Sequence, residues 1–223
     1  MVNLMKKRKK LNFFNPTLMV DTKVAIVGSS SSILKMKNGT LIDTFDEIIR
    51  FNRGITLKYE EYVGSKTTLR IINNNVFFRI PESGNEFFLK DLNSSKLGVI
   101  APFKINQEDK KKFLLNNHEY FFFNTLNAKV KILIYFLTFP KIFLKLVNLI
   151  YSKKQLSVGF LTILAFITSK IKPTLFGFDL NEDMSKRSHY YVKNWPIGGR
   201  HDFKSEHLII QLLKEKNLVD IVI

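Results

Sequence analysis

Lys23-Val24-Ala25-Ile26-Val27-Gly28-Ser29-Ser30-Ser31-Ser32-Ile33-Leu34 reads as a buried strand that stops at a glycine and re-enters a helical segment through serines. Four apolar residues in a row, without polar alternation, suit a strand covered on both faces. Gly28 permits a tight turn, and the short hydroxyls of the serines satisfy the free N–H groups at a helix start. The same grammar recurs downstream. Asp46 to Asn52 reads as a second strand, Thr67 to Ile72 as a third and Lys96 to Ala101 as a fourth, stopped by Pro102. Residues 107–150 read mostly as helix, Leu156 to Ile171 as another, Pro173 to Phe178 as a strand, and Asp202 to Lys216 as the last helix. Asn38-Gly39 marks a turn. Strands alternating with helices give an α/β fold: one doubly wound, mainly parallel sheet with helices on both faces. Ligands in such sheets bind at the carboxyl ends of the strands, which gathers Ser29, Asn52, Asn73 and Gly177 onto one edge.

Composition sets the outer limits. The 223 residues suit one domain, 22–223, preceded by a basic lead-in at 1–21. The chain is 45% hydrophobic, enough for a sizeable core, and carries a net charge of +16, a field that attracts polyanions. Cysteine is absent, which excludes disulfides, thiolate metal sites and a cysteine nucleophile and fits a reducing compartment. A basic nucleic-acid-binding protein is the main rival suggested by charge. Against it, 21 Phe to 7 Tyr is core-like usage, and the basic residues are spread along the chain rather than gathered in a stripe.

Met1 to Lys10 is basic, but no apolar run follows, so no secretory signal peptide is expected and the location reads as cytoplasmic. Ile132 to Tyr151 is the most membrane-like stretch, yet Pro140, Lys141 and Lys145 interrupt it short of a span. Two readings stand. One is a helix pair packed in the core or over the site, within a helical region 107–154 that serves as a lid. The other is a basic amphipathic surface that makes peripheral contact with the inner face of an anionic membrane. A membrane-bound structural protein organised by residues 121–154 is a further rival.

The candidate site residues lie in four places. The Gly28-Ser29-Ser30 turn offers backbone and hydroxyl donors for a phosphate or ribose, although neither G-x-G-x-x-G nor a P-loop is present. Asn52, at a strand end, reads as a base or ribose contact or as turn chemistry. Ser157-Val158-Gly159 opens an apolar helix at which a donor cluster would sit well against an anion, or which Ser157 simply caps. His189-Tyr190-Tyr191 and His201 with Glu206 place two of the four histidines near one another, in a polar segment with Trp195. A partly exposed imidazole is a candidate general base. No Asp-x-Asp is present, and Glu182-Asp183 and Asp46-Glu47 are adjacent pairs, so no divalent metal site is expected.

In order, these pieces resemble a known set. Val27 to Ser30, Ile42-Asp43, Phe45-Asp46, Arg50 to Asn52 and Val63 to Thr68 look like the long motif of the animal-type sialyltransferase family. Ser157-Val158-Gly159 through Leu175 to Phe178 is similar to its short motif, His189-Tyr190-Tyr191 to its third, and His201-x4-Glu206 to its last. The sequence departs from the family at Ser29 and Val158, where Asn and Thr are usual, and lacks the cysteines that join the long motifs in animal members. The resemblance implies a bacterial or viral relative with a Rossmann-like, nucleotide-binding fold. It implies inverting, metal-independent transfer of sialic acid, or a related 2-keto acid sugar such as Kdo, from its CMP donor to the hydroxyl of an oligosaccharide or glycolipid. A CMP-binding relative without transfer activity is the degenerate form of the same expectation. Carried over by position, Gly28, Ser29, Ser30, Asn52, Ser157, Val158, Gly159 and Gly177 would line the nucleotide site. His189 would bind the phosphate, where Tyr190 or Tyr191 could add a hydroxyl; His201 would be the base, with Glu206 orienting it or capping the helix. Acceptor loops are expected in 76–95 and 103–155.

Overall fold

The computed structural model describes residues 8–10, 17–19, 21–73, 76, 96–101, 120–178, 189–191 and 201–222. Seven parallel strands form the central sheet in the order β7-β6-β5-β4-β3-β8-β9. They are β3 (Val24–Val27), β4 (Glu47–Phe51), β5 (Leu69–Asn73), β6 (Lys96–Ala101), β7 (Tyr120–Asn124), β8 (Thr174–Phe176) and β9 (Asp220–Val222). The chain lays strands outward from β3 to β7, then crosses back to pair β8 with the other side of β3. That reversal makes the carboxyl ends of β3 and β8 the switch point of the sheet, where doubly wound folds bind ligands.

Side chains alternate between two faces. Val24, Ile26, Ile49, Phe51, Leu69, Ile71 and Leu175 enter the larger core. It is roofed by α3 (Thr125–Phe136), α4 (Pro140–Tyr151), α5 (Val158–Thr168) and α6 (Phe203–Glu215). Every residue of α5 from Phe160 to Thr168 is buried. Its hydroxyls stay satisfied by bonding back into the helix, Thr162 Oγ1 to the Val158 carbonyl at 2.8 Å and Thr168 Oγ1 to that of Ala165 at 3.0 Å. Ala25, Val27, Ile48 and Phe176 face the smaller core, closed by a 3-10 turn (Ser31–Lys35), α1 (Gly39–Ile42) and α2 (Glu60–Val63). Gly39 is where α1 meets α2: a Cβ there would stand 1.9 Å from the Glu60 carbonyl oxygen.

Two arginines lie buried in the central strands. Arg50 and Arg70 are register partners on β4 and β5, exposed by 1% and 0%. Main-chain carbonyls take up their forks. Arg50 donates to the carbonyls of Val63 and Lys66 and to Thr67 Oγ1. Arg70 Nη1 donates to the carbonyls of Asn52 at 3.0 Å and Gly54 at 2.9 Å. A planar guanidinium with five fixed donors suits this task; an ammonium does not.

The four strands read from sequence before Pro102 are β3 to β6, and the helix boundaries after Gln155 hold to within a few residues. Three differences stand out. β7 lies inside the stretch read as helix: Tyr120-Phe-Phe-Phe-Asn is an aromatic run whose β preference is hidden beside a long apolar helical pattern. β9 was not expected; it pairs with β8. The lead-in contains a small antiparallel pair, β1 (Arg8–Lys10) and β2 (Thr17–Met19). Residues 102–119, most of 76–95, and the loop 180–200 apart from 189–191, with Trp195, lie outside the described residues.

The long-motif segment Gly64 to Thr68 is held by Asp43. Its carboxylate accepts from the N–H groups of Ser65 and Lys66 and from Ser65 Oγ, at 2.8–3.1 Å. Burial pushes the Asp43 carboxyl up, but those donors and the Arg50 guanidinium outweigh it and hold it below the ordinary range. A depressed carboxyl stabilises fully above about pH 4, and that contribution is lost as pH falls through its folded-state value. Asp43→Asn should lower unfolding stability by about 1–3 kcal/mol near neutral pH. It should also flatten the acid limb below about pH 4 in urea titrations across pH.

Candidate active site

At the switch point two backbone turns touch. Gly28 N–H donates to the Phe176 carbonyl at 2.7 Å, and a Cβ on Gly28 would stand 2.4 Å from the Gly177 carbonyl oxygen. Gly177 has φ +67°, and a Cβ there would press on Ile33 at 3.0 Å. Both glycines are therefore fixed by space: a side chain on either would push the two turns apart.

The third-motif residues dock onto the turn after β3. Ser30 and His189 form an antiparallel bridge, and Tyr190 N–H donates to the Ser29 carbonyl at 3.0 Å. The His189 ring stacks on Tyr191, with centroids 5.3 Å apart and planes 5° from parallel. Burial pushes the His189 imidazole below its ordinary range; a hydrogen bond to the Ser29 backbone pulls the other way without reversing this. Burial also raises the Tyr191 phenol, opposed by a hydrogen bond with the Ser29 side chain and by the charges of Arg70 and Arg53. Ser30 Oγ caps the 3-10 turn through Ser32 N–H, at a long 3.4 Å.

Tyr190 corrects an expectation. The ring is buried, edge-on to Tyr59 at 5.0 Å, and its hydroxyl donates to the Ile55 carbonyl. With that proton committed, Tyr190 secures the turn after β4 instead of offering a donor to phosphate. Asn52 has a structural half as well. It sits at φ +46°, and its Oδ1 accepts from Asn73 N–H at 3.1 Å, tying the ends of β4 and β5. Its Nδ2 donors make no contact among the described residues.

The second histidine stands at the mouth of α5. His201 Nδ1 lies 2.7 Å from the Gln155 carbonyl oxygen. A carbonyl only accepts, so Nδ1 carries the proton and Nε2 of the neutral ring carries the lone pair. Two residues on, Ser157 caps α5 through Phe160 N–H at 3.1 Å. Glu206, 2% exposed, accepts from Ser157 N–H at 2.6 Å and from Ser157 Oγ at 2.7 Å. The cap of α6 is Asp202, which accepts from Ser205 N–H and Oγ. The expectation that Glu206 caps its own helix is thus replaced: it anchors the neighbouring one. Ser157 has its hydroxyl proton on Glu206 and a lone pair on Phe160, so the donors left for an anion at this helix end are backbone N–H groups. Val158 packs against the larger core. Gly159 meets Phe51 and Phe178 within 3.4–3.6 Å of a notional Cβ, which brings the start of α5 against the ends of β4 and β8.

Both histidines therefore belong to one rim, His189 through the β3 turn and His201 through the segment before α5. Sequence reading missed Tyr191 as the partner of Ser29, the Gln155 carbonyl that sets the His201 tautomer, and Arg70 beneath the rim. Arg70 had a signal: a charge inside the apolar run Leu69-Arg70-Ile71-Ile72. The carbonyl had none, because main-chain atoms leave no mark in a sequence. Among the described residues, no three His, Asp or Glu side chains gather into a metal-binding group.

Comparison with known proteins identifies the family and the fold. A 52-residue stretch is 48% identical to beta-galactoside alpha-2,6-sialyltransferase 2 of Xenopus tropicalis, over 23% of this chain and 10% of that protein. A stretch of the same length is 42% identical to a beta-1,6-galactosyltransferase of Arabidopsis thaliana, over 23% of this chain and 13% of that protein. The alignments thus span about a tenth of those relatives' length. In fold, the chain is similar to a mammalian sialyltransferase crystallised with Gal-beta-1-3GalNAc-ortho-nitrophenol. The TM-score is 0.61 and the identity 18%, covering 90% of this chain and 69% of that one. It is also similar to the Campylobacter jejuni sialyltransferase CstII in complex with a substrate analogue, cytidine-5'-monophosphate, with a TM-score of 0.54 and 15% identity, covering 90% and 79%. The model of glycosyltransferase family 29 (sialyltransferase) matches residues 17–218, nearly the whole sheet and its rim, and the chain belongs to that family.

Proposed function

We propose that the protein is an inverting, metal-independent glycosyltransferase that moves a 2-keto acid sugar, sialic acid or a relative such as Kdo, from its CMP donor to a glycan hydroxyl. The observation that carries the reading is the His201 ring, fixed by the Gln155 carbonyl with Nε2 as the basic atom. In this reading the acceptor hydroxyl attacks the anomeric carbon as its proton passes to Nε2. The bond from that carbon to the phosphate oxygen breaks on the opposite face and CMP leaves with the electron pair. General-base assistance of this kind contributes on the order of 10²–10⁴-fold. Developing charge on the phosphate is met by His189, by free N–H groups at the start of α5 and by the fixed cation Arg70 behind Tyr191. Glu206 acts as a positioning residue: it holds Ser157, and through it the strand of chain that bears the Gln155 carbonyl.

The donor nucleotide decides between this reading and one close to the galactosyltransferase relative. Stabilisation by a bound nucleotide follows mass action. CMP should raise the melting temperature, while UDP, GDP and ATP leave it unchanged; a shift with UDP alone would replace the CMP donor.

His201→Ala should abolish transfer while CMP affinity stays within about twofold, since the ring serves the acceptor side. Initial rates and calorimetric CMP binding, with excess EDTA in parallel, check this. Full activity without the imidazole overturns the base, and a rate lost in EDTA and restored by manganese overturns metal independence.

His189 sets a pH dependence. Buried and neutral, with one N–H given to Ser29, it has only a lone pair for an anion, so accepting a phosphate requires a second proton. CMP binding should therefore take up one proton. Affinity should rise by up to about tenfold per unit as pH falls from 8 to 6.5. His189→Gln should remove the slope, and calorimetry in buffers of different ionisation enthalpy reads the proton directly.

A further inference from the structure

The α3–α4 hairpin carries two surfaces. Its inner stripe, Ile132, Phe136, Ile142, Leu146 and Leu149, is buried in the larger core. Its outer stripe is also apolar. Val130 and Ile134 on α3, and Leu137 in the turn just past its end, have 52%, 62% and 57% of their surface exposed. On α4, Leu144 is 62% and Tyr151 80% exposed. Because both helices bury one side against the same core, their opposite sides lie next to one another. Of the two readings of this stretch from sequence, the buried stripe matches the helix pair packed in the core.

Charge names the occupant. From Tyr120 to Phe178 the sequence contains eight lysines and no Asp or Glu, in a chain with 19 acidic residues. Six of those lysines, 129, 131, 141, 145, 153 and 154, belong to the hairpin and the turn that follows it. Among the described residues no helix is long and apolar enough to cross a membrane. A short amphipathic pair with apolar side chains outward and lysines around them matches a surface that has hydrocarbon below and negative charge at its boundary.

We propose that the outer face of α3–α4 docks on the surface of a bilayer containing anionic lipids. Tyr151 ends α4 four residues before Gln155, so docking places the His201 rim beside the membrane, where a lipid-borne acceptor would be met.

Flotation of the full chain with vesicles tests the surface. It should bind phosphatidylcholine vesicles containing about three-tenths phosphatidylglycerol and bind pure phosphatidylcholine at least about tenfold more weakly. Ile134→Glu, at an exposed position where folding is unaffected, should weaken anionic-vesicle binding about tenfold, as should Lys141→Glu with Lys145→Glu. Lys35→Glu with Lys37→Glu reverses the same number of charges on the other side of the sheet and should have little effect. Equal loss in both charge-reversed pairs would mean that net charge alone drives binding, and would overturn the proposal. So would Ile134→Glu leaving vesicle binding intact while splitting a dimer in sedimentation, because the face would then belong to a second copy of the chain.

Discussion

A buried carboxylate joins the starts of two helices through residues 49 apart in sequence, and the His201 side of the rim is tied to it. Glu206 is almost wholly out of solvent and takes two short hydrogen bonds from one residue, Ser157. A charge in that position is destabilising unless it is paired with strong donors. Here the N–H and hydroxyl at the start of α5 supply them, with the positive end of a helix dipole behind. Fixing Ser157 fixes Gln155 two residues earlier. Gln155 in turn decides which nitrogen of His201 holds a proton. One ion–dipole contact thus propagates, by covalent chain and a single hydrogen bond, to the tautomer of one ring.

The two ends of the site are built by different physics. On the β3 side, backbone approaches backbone: Gly28 and Gly177 leave no room for side chains, and the strip 189–191 docks on the adjoining Ser29 and Ser30 through main-chain contacts. On the α5 side, side chains and helix ends do the positioning. The first arrangement tolerates little variation in residue size. The second depends on charge, and an apolar replacement at Glu206 would leave the polar end of α5 without its acceptor.

Sequence revealed the parts of this architecture that rest on local pattern. Short apolar runs mark β3 to β6, and the serines after β3 and before α5 mark the caps at Ser30 and Ser157. The order of short motifs placed His189 and His201. What stayed hidden was non-local. The run Tyr120 to Asn124 becomes a strand because β6 offers an unpaired edge, and β9 forms because β8 does. Tyr190 and Tyr191 are neighbours of the same type, yet one hydroxyl is locked onto Ile55 and the other onto Ser29; only the fold distinguishes them. Glu206 was expected to orient His201 or cap its own helix, since a carboxylate one turn from a histidine gives no hint that it reaches across to another helix.

Arg50 and Arg70 carry a consequence for strand pairing. Their guanidiniums emerge on the same side of adjacent strands, among carbonyls that solvate them. Because side chains alternate with period two, a slip of β4 by a single residue would swing Arg50 into the hydrocarbon beneath α5, where no carbonyl awaits it. Between two strands whose other buried positions are all isoleucine, leucine or phenylalanine, this pair works as an alignment key. Misregistered assemblies are disfavoured by the stranding of a cation more than by any loss of apolar contact.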